Sequence, residues 1–315
     1  MHPLTPLVAW KSQQGMRGTE NDDHHGWFAI ERADLPYPIY VALVADGVTS
    51  TEGGAQASRI AVEAVRAALH ERPDPHETLS EWLAGAILHA NEEILFEAKR
   101  NVQWKGMSTT LVLAALAGGK LYVMHLGDSR AYLLRAKRLY QLTTDHTWAQ
   151  AAFDAGTISA QEAERHPGRN QLQRYLGAQH GVNLARGVIA PGTQHMEEYL
   201  QIRPGDLLLL CTDGIYKRLP LATMQQALVD QAGEPQAVVD ALVTASEASG
   251  EIDDMTALVV AVPPGEQIAY TPENIPASYI LQQDQPHSNQ PMWFTLFLLS
   301  VVSCLTLLAF YLLLS

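Results

Sequence analysis

Two apolar runs, Thr110–Leu116 and Lys120–Leu126, stand on either side of a Gly118-Gly119 pair. Adjacent glycines take the positive φ angles that a two-residue hairpin turn demands, so the runs are expected to pair as neighbouring antiparallel strands. Further runs of strand length and branched composition occur at Ile39–Ala45, Leu207–Cys211 and Thr256–Val262, and read as buried strands. Leu79, Trp82, Leu83, Ala86, Ile87, Ala90, Ile94 and Leu95 repeat at the spacing of one helical face, and Thr78 with Glu81 has the spacing of a capping box. Similar patterns cover Ala57–Leu69 and Val238–Ala248, the latter closed by Gly250. Hairpin-linked strands interleaved with amphipathic helices predict a layered α+β domain rather than a parallel, doubly wound sheet.

The end of the chain has a different character. Met292–Leu314 is an uncharged apolar run of 23 residues, longer than the roughly 20 needed to cross a bilayer as a helix, and is read as a transmembrane anchor. Residues 263–291 are rich in Pro, Gln, Asn and Ser without apolar periodicity, which suits a flexible linker. Residues 1–262 are then expected to form one domain, with 47% apolar residues in the whole chain to build its core. Met1–Lys11 lacks the apolar stretch and cleavage signal of a secretory leader, which places that domain in the cytoplasm. Lys and Arg number 21 against 34 Asp and Glu, a formal charge of −13 that repels a polyanion and excludes nucleic acid as the main partner. The two cysteines, Cys211 and Cys304, are too few for a disulfide framework or a thiolate metal site. Cys211 lies in an apolar strand with no Arg-rich phosphate loop after it, and reads as a core residue rather than a nucleophile.

The acids fall at the ends of predicted strands: Asp22 and Asp23, Asp46, Asp128, Asp213, and Asp253 with Asp254. Strand ends are where separate chain segments converge, and a pair of divalent cations needs several hard oxygen ligands from such segments. Singly, Asp46-Gly47 and Asp213-Gly214 are ordinary turn dipeptides. His24 and His25, adjacent on a strand, point to opposite faces and do not share an ion. Trp104, Met107 and Trp148 read as packing groups.

Taken in order, the wording around these acids resembles the metal-dependent Ser/Thr phosphatases of the protein phosphatase 2C (PPM) family, especially its bacterial members. The resemblance spans about residues 10 to 262. It runs through Asn21-Asp22-Asp23, Val44-Ala45-Asp46-Gly47, Gly54-Ala55-Gln56-Ala57-Ser58, Met107-Ser108-Thr109-Thr110-Leu111 and Leu126-Gly127-Asp128-Ser129-Arg130-Ala131. It continues through Leu142-Thr143-Thr144-Asp145-His146, His166-Pro167-Gly168-Arg169-Asn170, Gly205-Asp206 and Cys211-Thr212-Asp213-Gly214, to Asp253-Asp254-Met255-Thr256.

The resemblance implies a four-layer αββα sandwich of two antiparallel sheets flanked by helices, with two Mn²⁺ or Mg²⁺ ions, and a third weaker one, at one end. By resemblance, Asp46 bridges both metals and Gly47 lends its carbonyl, Asp213 and Asp253 complete the first metal, and Asp22 serves the second. Asp23 orients water, Asp128 serves the third ion, and His146 with residues 147–174 matches a mobile flap. The family's phosphate-contacting arginine sits where this chain has Gly18, so its neighbour Arg17 is the candidate. Asp22 stands where the family usually has Glu, the Gly-Gly-His stretch after Asp46-Gly47 is replaced by residues 48–54 without a histidine, and Asp254 replaces an Asn and is expected to face solvent.

The function implied is metal-dependent hydrolysis of phosphoserine and phosphothreonine in proteins, by water activated at the two ions, in an enzyme tethered to the cell membrane by a single span. Its partners would be phosphorylated proteins and a Ser/Thr kinase acting on the same substrates, with a monomeric catalytic domain. The alternative is a non-catalytic, phosphatase-like binding module at the membrane, motivated by the displaced arginine and the shortened acid.

Overall fold

In the computed structural model, which describes residues 5–48, 53–71, 74 and 76–263, the Gly118-Gly119 pair makes the turn its sequence demands, with φ of 55° and 80°. A side chain on Gly118 would in addition strike the Tyr37 ring, 2.5 Å away. In chain order, β1 (Leu7–Gln13), β2 (Asp23–Ile30) and β3 (Ile39–Asp46) precede the helices α1 (Gly54–His70) and α2 (Leu79–Arg100). The strands β4 (Leu111–Ala117) and β5 (Lys120–Leu126) form the glycine-turned hairpin, and β6 (Arg130–Arg135) with β7 (Arg138–Gln141) forms the next. Two short helices follow, α3 (Trp148–Asp154) and α4 (Ala160–Arg165), then the two-residue strands β8 (Ala185–Arg186), β9 (Val188–Ile189), β10 (Met196–Glu197) and β11 (Leu200–Gln201). The fold closes through β12 (Leu207–Cys211), α5 (Asp213–Tyr216), α6 (Leu221–Asp230), α7 (Pro235–Ala248) and β13 (Met255–Ala261).

One sheet has the order β1-β13-β12-β6-β7 and the other β11-β5-β4-β3-β2, with β8 also pairing β5, and their ladders are antiparallel. Side chains alternate across a strand, so each sheet has two faces to cover. Val44, Val112 and Val123 of one sheet pack between the layers against Leu133, Leu210 and Leu258 of the other. On the outer face of the first sheet, Tyr132, Leu209 and Val259 are covered by Leu228, Val238 and Leu242 of α6 and α7. On the outside of the second sheet α1 lies over β2 and β3 and packs against α2. Burying each such aliphatic side chain is worth about 1.5–3 kcal/mol, which is why β12, apolar at all five of its positions, is buried at all of them. The result is helices outside two antiparallel sheets, the expected α+β layering.

Local chemistry accounts for the boundaries. Thr78 accepts the Glu81 N–H at 3.2 Å while Glu81 accepts the Thr78 N–H at 2.9 Å, the reciprocal cap expected at the start of α2. The other long helix begins at Gly54, three residues before its apolar pattern becomes visible. The β6–β7 turn carries no glycine: Ala136 and Lys137 take φ of 49° and 64°. Among the described residues no helix is long and apolar enough to cross a membrane. The expected span at 292–314, the linker from residue 264 onward and Cys304 lie outside the described residues, as do residues 49–52 of the segment after Asp46-Gly47.

Candidate metal centre

Antiparallel pairing gathers the acids at one end of the sandwich. Asp23 opens β2 directly opposite Asp46, which closes β3. Cys211 at the end of β12 pairs with Ala257 near the start of β13, so Asp213, just past one strand, and Asp253, just before the other, come together. The same Cys211 pairs with Arg130 at the start of β6, which brings in Asp128 from the turn before it. Asp46, Asp128, Asp213 and Asp253 line one cavity of about 380 Å³ with Arg17, Gly47 and Lys217.

Backbone contacts fix the floor of this cavity. The Asp46 N–H donates to Thr110 Oγ1 at 3.0 Å, and its carbonyl accepts from the Thr109 hydroxyl at 2.9 Å and the Thr110 N–H at 2.8 Å. The Gly47 N–H donates to the Asp22 carbonyl at 3.0 Å. No side chain fits at Gly47, because a Cβ there would stand 2.2 Å from the Gly54 carbonyl oxygen; glycine is required for this close approach. Asp22 is beside the cavity rather than on its wall, and its carboxylate lies against Gly54 at the start of α1.

Asp254 corrects the sequence reading. Instead of facing solvent it is buried, and its carboxylate accepts the Gly15 and Asp22 N–H groups, each at 2.7 Å. A buried carboxylate needs such donors, and these two sit on the segment that also carries Arg17. The Arg17 and Met16 N–H groups in turn donate to the Ile252 carbonyl at 3.0 and 2.8 Å. Arg17 thereby reaches the cavity despite its displacement in sequence, with Nη1 2.6 Å from Asp253 Oδ2. Asp253 keeps the guanidinium charged and raises its pKa.

The electrostatics are dominated by like charges brought close in a partly dehydrated place. Loss of hydration, then Asp213, Asp23, Asp128 and Asp253, raises the Asp46 carboxyl well above the ordinary range. Burial and Asp213 push Asp128 up to about 7. Asp23 is buried behind the cavity wall, where burial raises its carboxyl and hydrogen bonds from Thr256 and Thr212 oppose that rise; the Thr212 hydroxyl lies at 2.8 Å. Cationic side chains answer some of this charge: Lys217 bonds Asp213 and stands 3.7 Å from Asp128. Among the described residues no three His, Cys, Asp or Glu side chains close around a single point, because Asp213 leans to Lys217 and Asp253 to Arg17. The donor chemistry itself, carboxylates and a glycine carbonyl with excess negative charge on one cavity, suits Mg²⁺ or Mn²⁺.

The segment matched to a flap supplies another wall. The Trp148 N–H donates to the Gln171 carbonyl at 2.9 Å and Thr147 bridges Leu172, so α3 and α4 form a loop that returns Asn170, Gln171, Leu172 and Tyr175 to the cavity. The His146 ring stacks on His125 at 4.5 Å and receives the Gly127 N–H at 3.3 Å; burial lowers its pKa to about 3. The His25 ring packs 5.6 Å from Trp10 and 6.1 Å from the His24 ring. Trp104 packs on Gly53, Met107 is buried and Trp148 stacks on His166 at 4.2 Å, as packing groups do. Cys211 is fully buried and burial pushes its thiol up, which removes it as a nucleophile. Lys217 is a charged cavity residue that sequence reasoning missed, although its spacing of four from Asp213 was visible.

A profile of the family described as Protein phosphatase 2C matches residues 14–248. The serine/threonine phosphatase stp of Listeria innocua is 31% identical over 253 residues, covering 80% of this chain and 94% of that protein. The crystal structure of the Mycobacterium tuberculosis serine/threonine phosphatase PstP/Ppp superposes with a TM-score of 0.67 at 28% identity, covering 82% of this chain and 99% of that one. The catalytic domain of PstP in complex with two manganese ions superposes with a TM-score of 0.65 at 27% identity, covering 82% of this chain and 98% of that one.

Proposed function

We propose, from the premise that this chain belongs to the protein phosphatase 2C family and is a Ser/Thr protein phosphatase, that it hydrolyses phosphoserine and phosphothreonine monoesters with two divalent cations at the strand-end acids. The observation that carries this reading is the convergence of Asp46, Asp128, Asp213 and Asp253 on one cavity beside Arg17. Asp46, Asp213, Asp253 and the Gly47 carbonyl would hold the ions, with Asp22 approaching from the α1 side. Bound Mn²⁺ or Mg²⁺ supplies a water of lowered pKa and draws charge from phosphoryl oxygens.

The chain's own groups do the rest. Arg17, 54% exposed at its side chain and tethered through Asp253, presents further guanidinium donors to the phosphoryl oxygens of a docking substrate. Asn170 and Gln171 offer amide groups along the opposite wall, suited to a peptide backbone. Asp23, held by the Thr212 hydroxyl, stays opposite Asp46 across the β2–β3 pair. With Cys211 sealed in the core, attack by water in a single displacement suits the site better than a covalent phosphoenzyme. The non-catalytic alternative rests on the displaced arginine and the shortened acid; Arg17 lies on the cavity wall, while Asp22 stands beside the cavity.

Membrane tethering belongs to the same proposal. Its support is the uncharged run at 292–314, long enough for a single span, which would hold a cytoplasmic catalytic domain close to kinase-modified proteins. Hydrolysis of a phosphothreonine peptide by the full chain, with Mn²⁺ and with chelator, tests the chemistry; membrane fractionation with and without 292–314 tests the tether. Phosphate release that ignores chelator, or a truncated chain that still sediments with membranes, would contradict the respective part.

A further inference from the structure

Asp213 and Lys217 are four residues apart across the single turn of α5, the spacing that puts two side chains on one helical face. The ammonium bonds Asp213 Oδ2, and Nζ stands 3.7 Å from Asp128 Oδ2. Its backbone is anchored as well. The neighbouring Tyr216 donates its hydroxyl to the Asp128 carbonyl at 2.9 Å, and the Arg130 guanidinium lies 3.6 Å from the Tyr216 ring centroid while forking Asp145 at 2.8 and 2.7 Å. These contacts clamp the turn that carries Lys217 against the turn that carries Asp128.

The side chains of Asp128 and Asp213 are 7% and 12% exposed, and two carboxylates so poor in water require a positive partner. Lys217 is that partner, itself only 28% exposed. A divalent ion between these two acids would need their oxygens at about 2.0–2.6 Å and several waters around it. An ammonium bonded to one carboxylate and near the other fills that space and repels an incoming dication. Lysine is suited to the role, being a compact point charge with three donors and no acceptor.

We infer that Lys217 is a resident monocation standing where a third divalent ion would join Asp128 to Asp213, so that this chain takes up two ions and not three. The inference rests on the two-ion reading above. It also assigns the Asp128 carboxylate to an internal ion pair in place of the third-ion ligand role that the resemblance implies. The ammonium replaces an exchangeable ion with a permanent charge, so this corner of the site is independent of the metal concentration around it.

Equilibrium dialysis of the full chain in detergent against Mn²⁺, followed by elemental counting, tests this. Wild type is expected to saturate at two ions per chain, Lys217→Ala and Lys217→Gln at three, and Lys217→Ala/Asp128→Asn at two again. Asp128→Asn alone, which needs no change at Lys217, is expected to keep two. Circular dichroism melting in chelator establishes that each variant is folded. Three ions in wild type, two in both folded Lys217 variants, or loss of an ion in Asp128→Asn would overturn the inference while leaving the two-ion reading standing. A wild-type chain that binds no ion would overturn both.

Discussion

The Asp254 carboxylate accepts the backbone N–H of Asp22 at 2.7 Å, a contact between residues 232 positions apart. Its second oxygen takes the Gly15 N–H, so one buried side chain ties the loop before β13 to the segment bearing Arg17 and Asp22. Asparagine has only one acceptor oxygen for these two donors and would turn its amide N–H₂ toward the other. Asp254→Asn is expected to cost about 1–3 kcal/mol of stability, the usual range for a buried donor left unmade, and to weaken activity by loosening Arg17. Urea unfolding measures the first effect and peptide hydrolysis the second; an unchanged midpoint would contradict the clamp.

Arg17 is expected to act on substrate through its forked donors. Losing a charge-assisted hydrogen bond of about 1.5–3 kcal/mol lowers kcat/KM for a phosphothreonine peptide about 10- to 100-fold in Arg17→Ala, chiefly through KM. Lysine restores charge against Asp253 but not the planar fork, so Arg17→Lys is expected to recover only part of the loss. Full recovery would mean that Arg17 merely neutralises Asp253.

Asp128, pushed up to about 7, and Asp46, raised well above the ordinary range, make stability depend on pH in a definite direction. Each keeps its proton in the fold after losing it in the unfolded chain, so its stabilising contribution is whole below about pH 4 and vanishes as pH rises past the folded value. In chelator, Asp128 is expected to lower stability as pH rises from about 4 through about 7, with Asp46 acting in the same direction. Saturating Mn²⁺ is expected to restore it near neutrality, because an ion that binds only the folded chain stabilises it. Asp128→Asn removes that residue's part of the slope in chelator, and identical pH profiles for variant and wild type would contradict the assignment.

The turn at Ala136 and Lys137 holds two residues in left-handed conformation, each costing about 1–2 kcal/mol without glycine. Ala136→Gly relieves one of them against the smaller entropy cost of glycine, for an expected gain of about 0.5–1 kcal/mol in chemical denaturation. A loss of stability would show that the Ala136 side chain makes up for the strain.

This turn also shows where the sequence stops being readable. The β4–β5 hairpin was legible because Gly118-Gly119 announces its dihedrals, whereas nothing in Ala136-Lys137 announces the same geometry between β6 and β7. Buried runs such as Leu207–Cys211 declare themselves by composition; β1, with Trp10 and Lys11 among half-buried and exposed positions, does not. At the site, the acids were legible from their position at strand ends and the wording around them. Asp254 was misjudged because its partners are backbone N–H groups brought near only by the fold, which no side-chain pattern encodes. Lys217 was missed although its spacing from Asp213 was in plain view, because its second partner, Asp128, is set by the pairing of β6 with β12.

The most direct test of the account is phosphate release from a phosphothreonine peptide by the full chain and by Asp46→Asn, each at saturating Mn²⁺ and each shown to be folded. Asp46 lines the cavity among the acids that raise its carboxyl, and in the proposed mechanism it would hold the ions that supply several kcal/mol of transition-state stabilisation. The account predicts Mn²⁺-dependent release by wild type and a fall of about 10³-fold or more in the variant, the equivalent of about 4 kcal/mol. Retention of activity within about tenfold in a folded Asp46→Asn chain would contradict it.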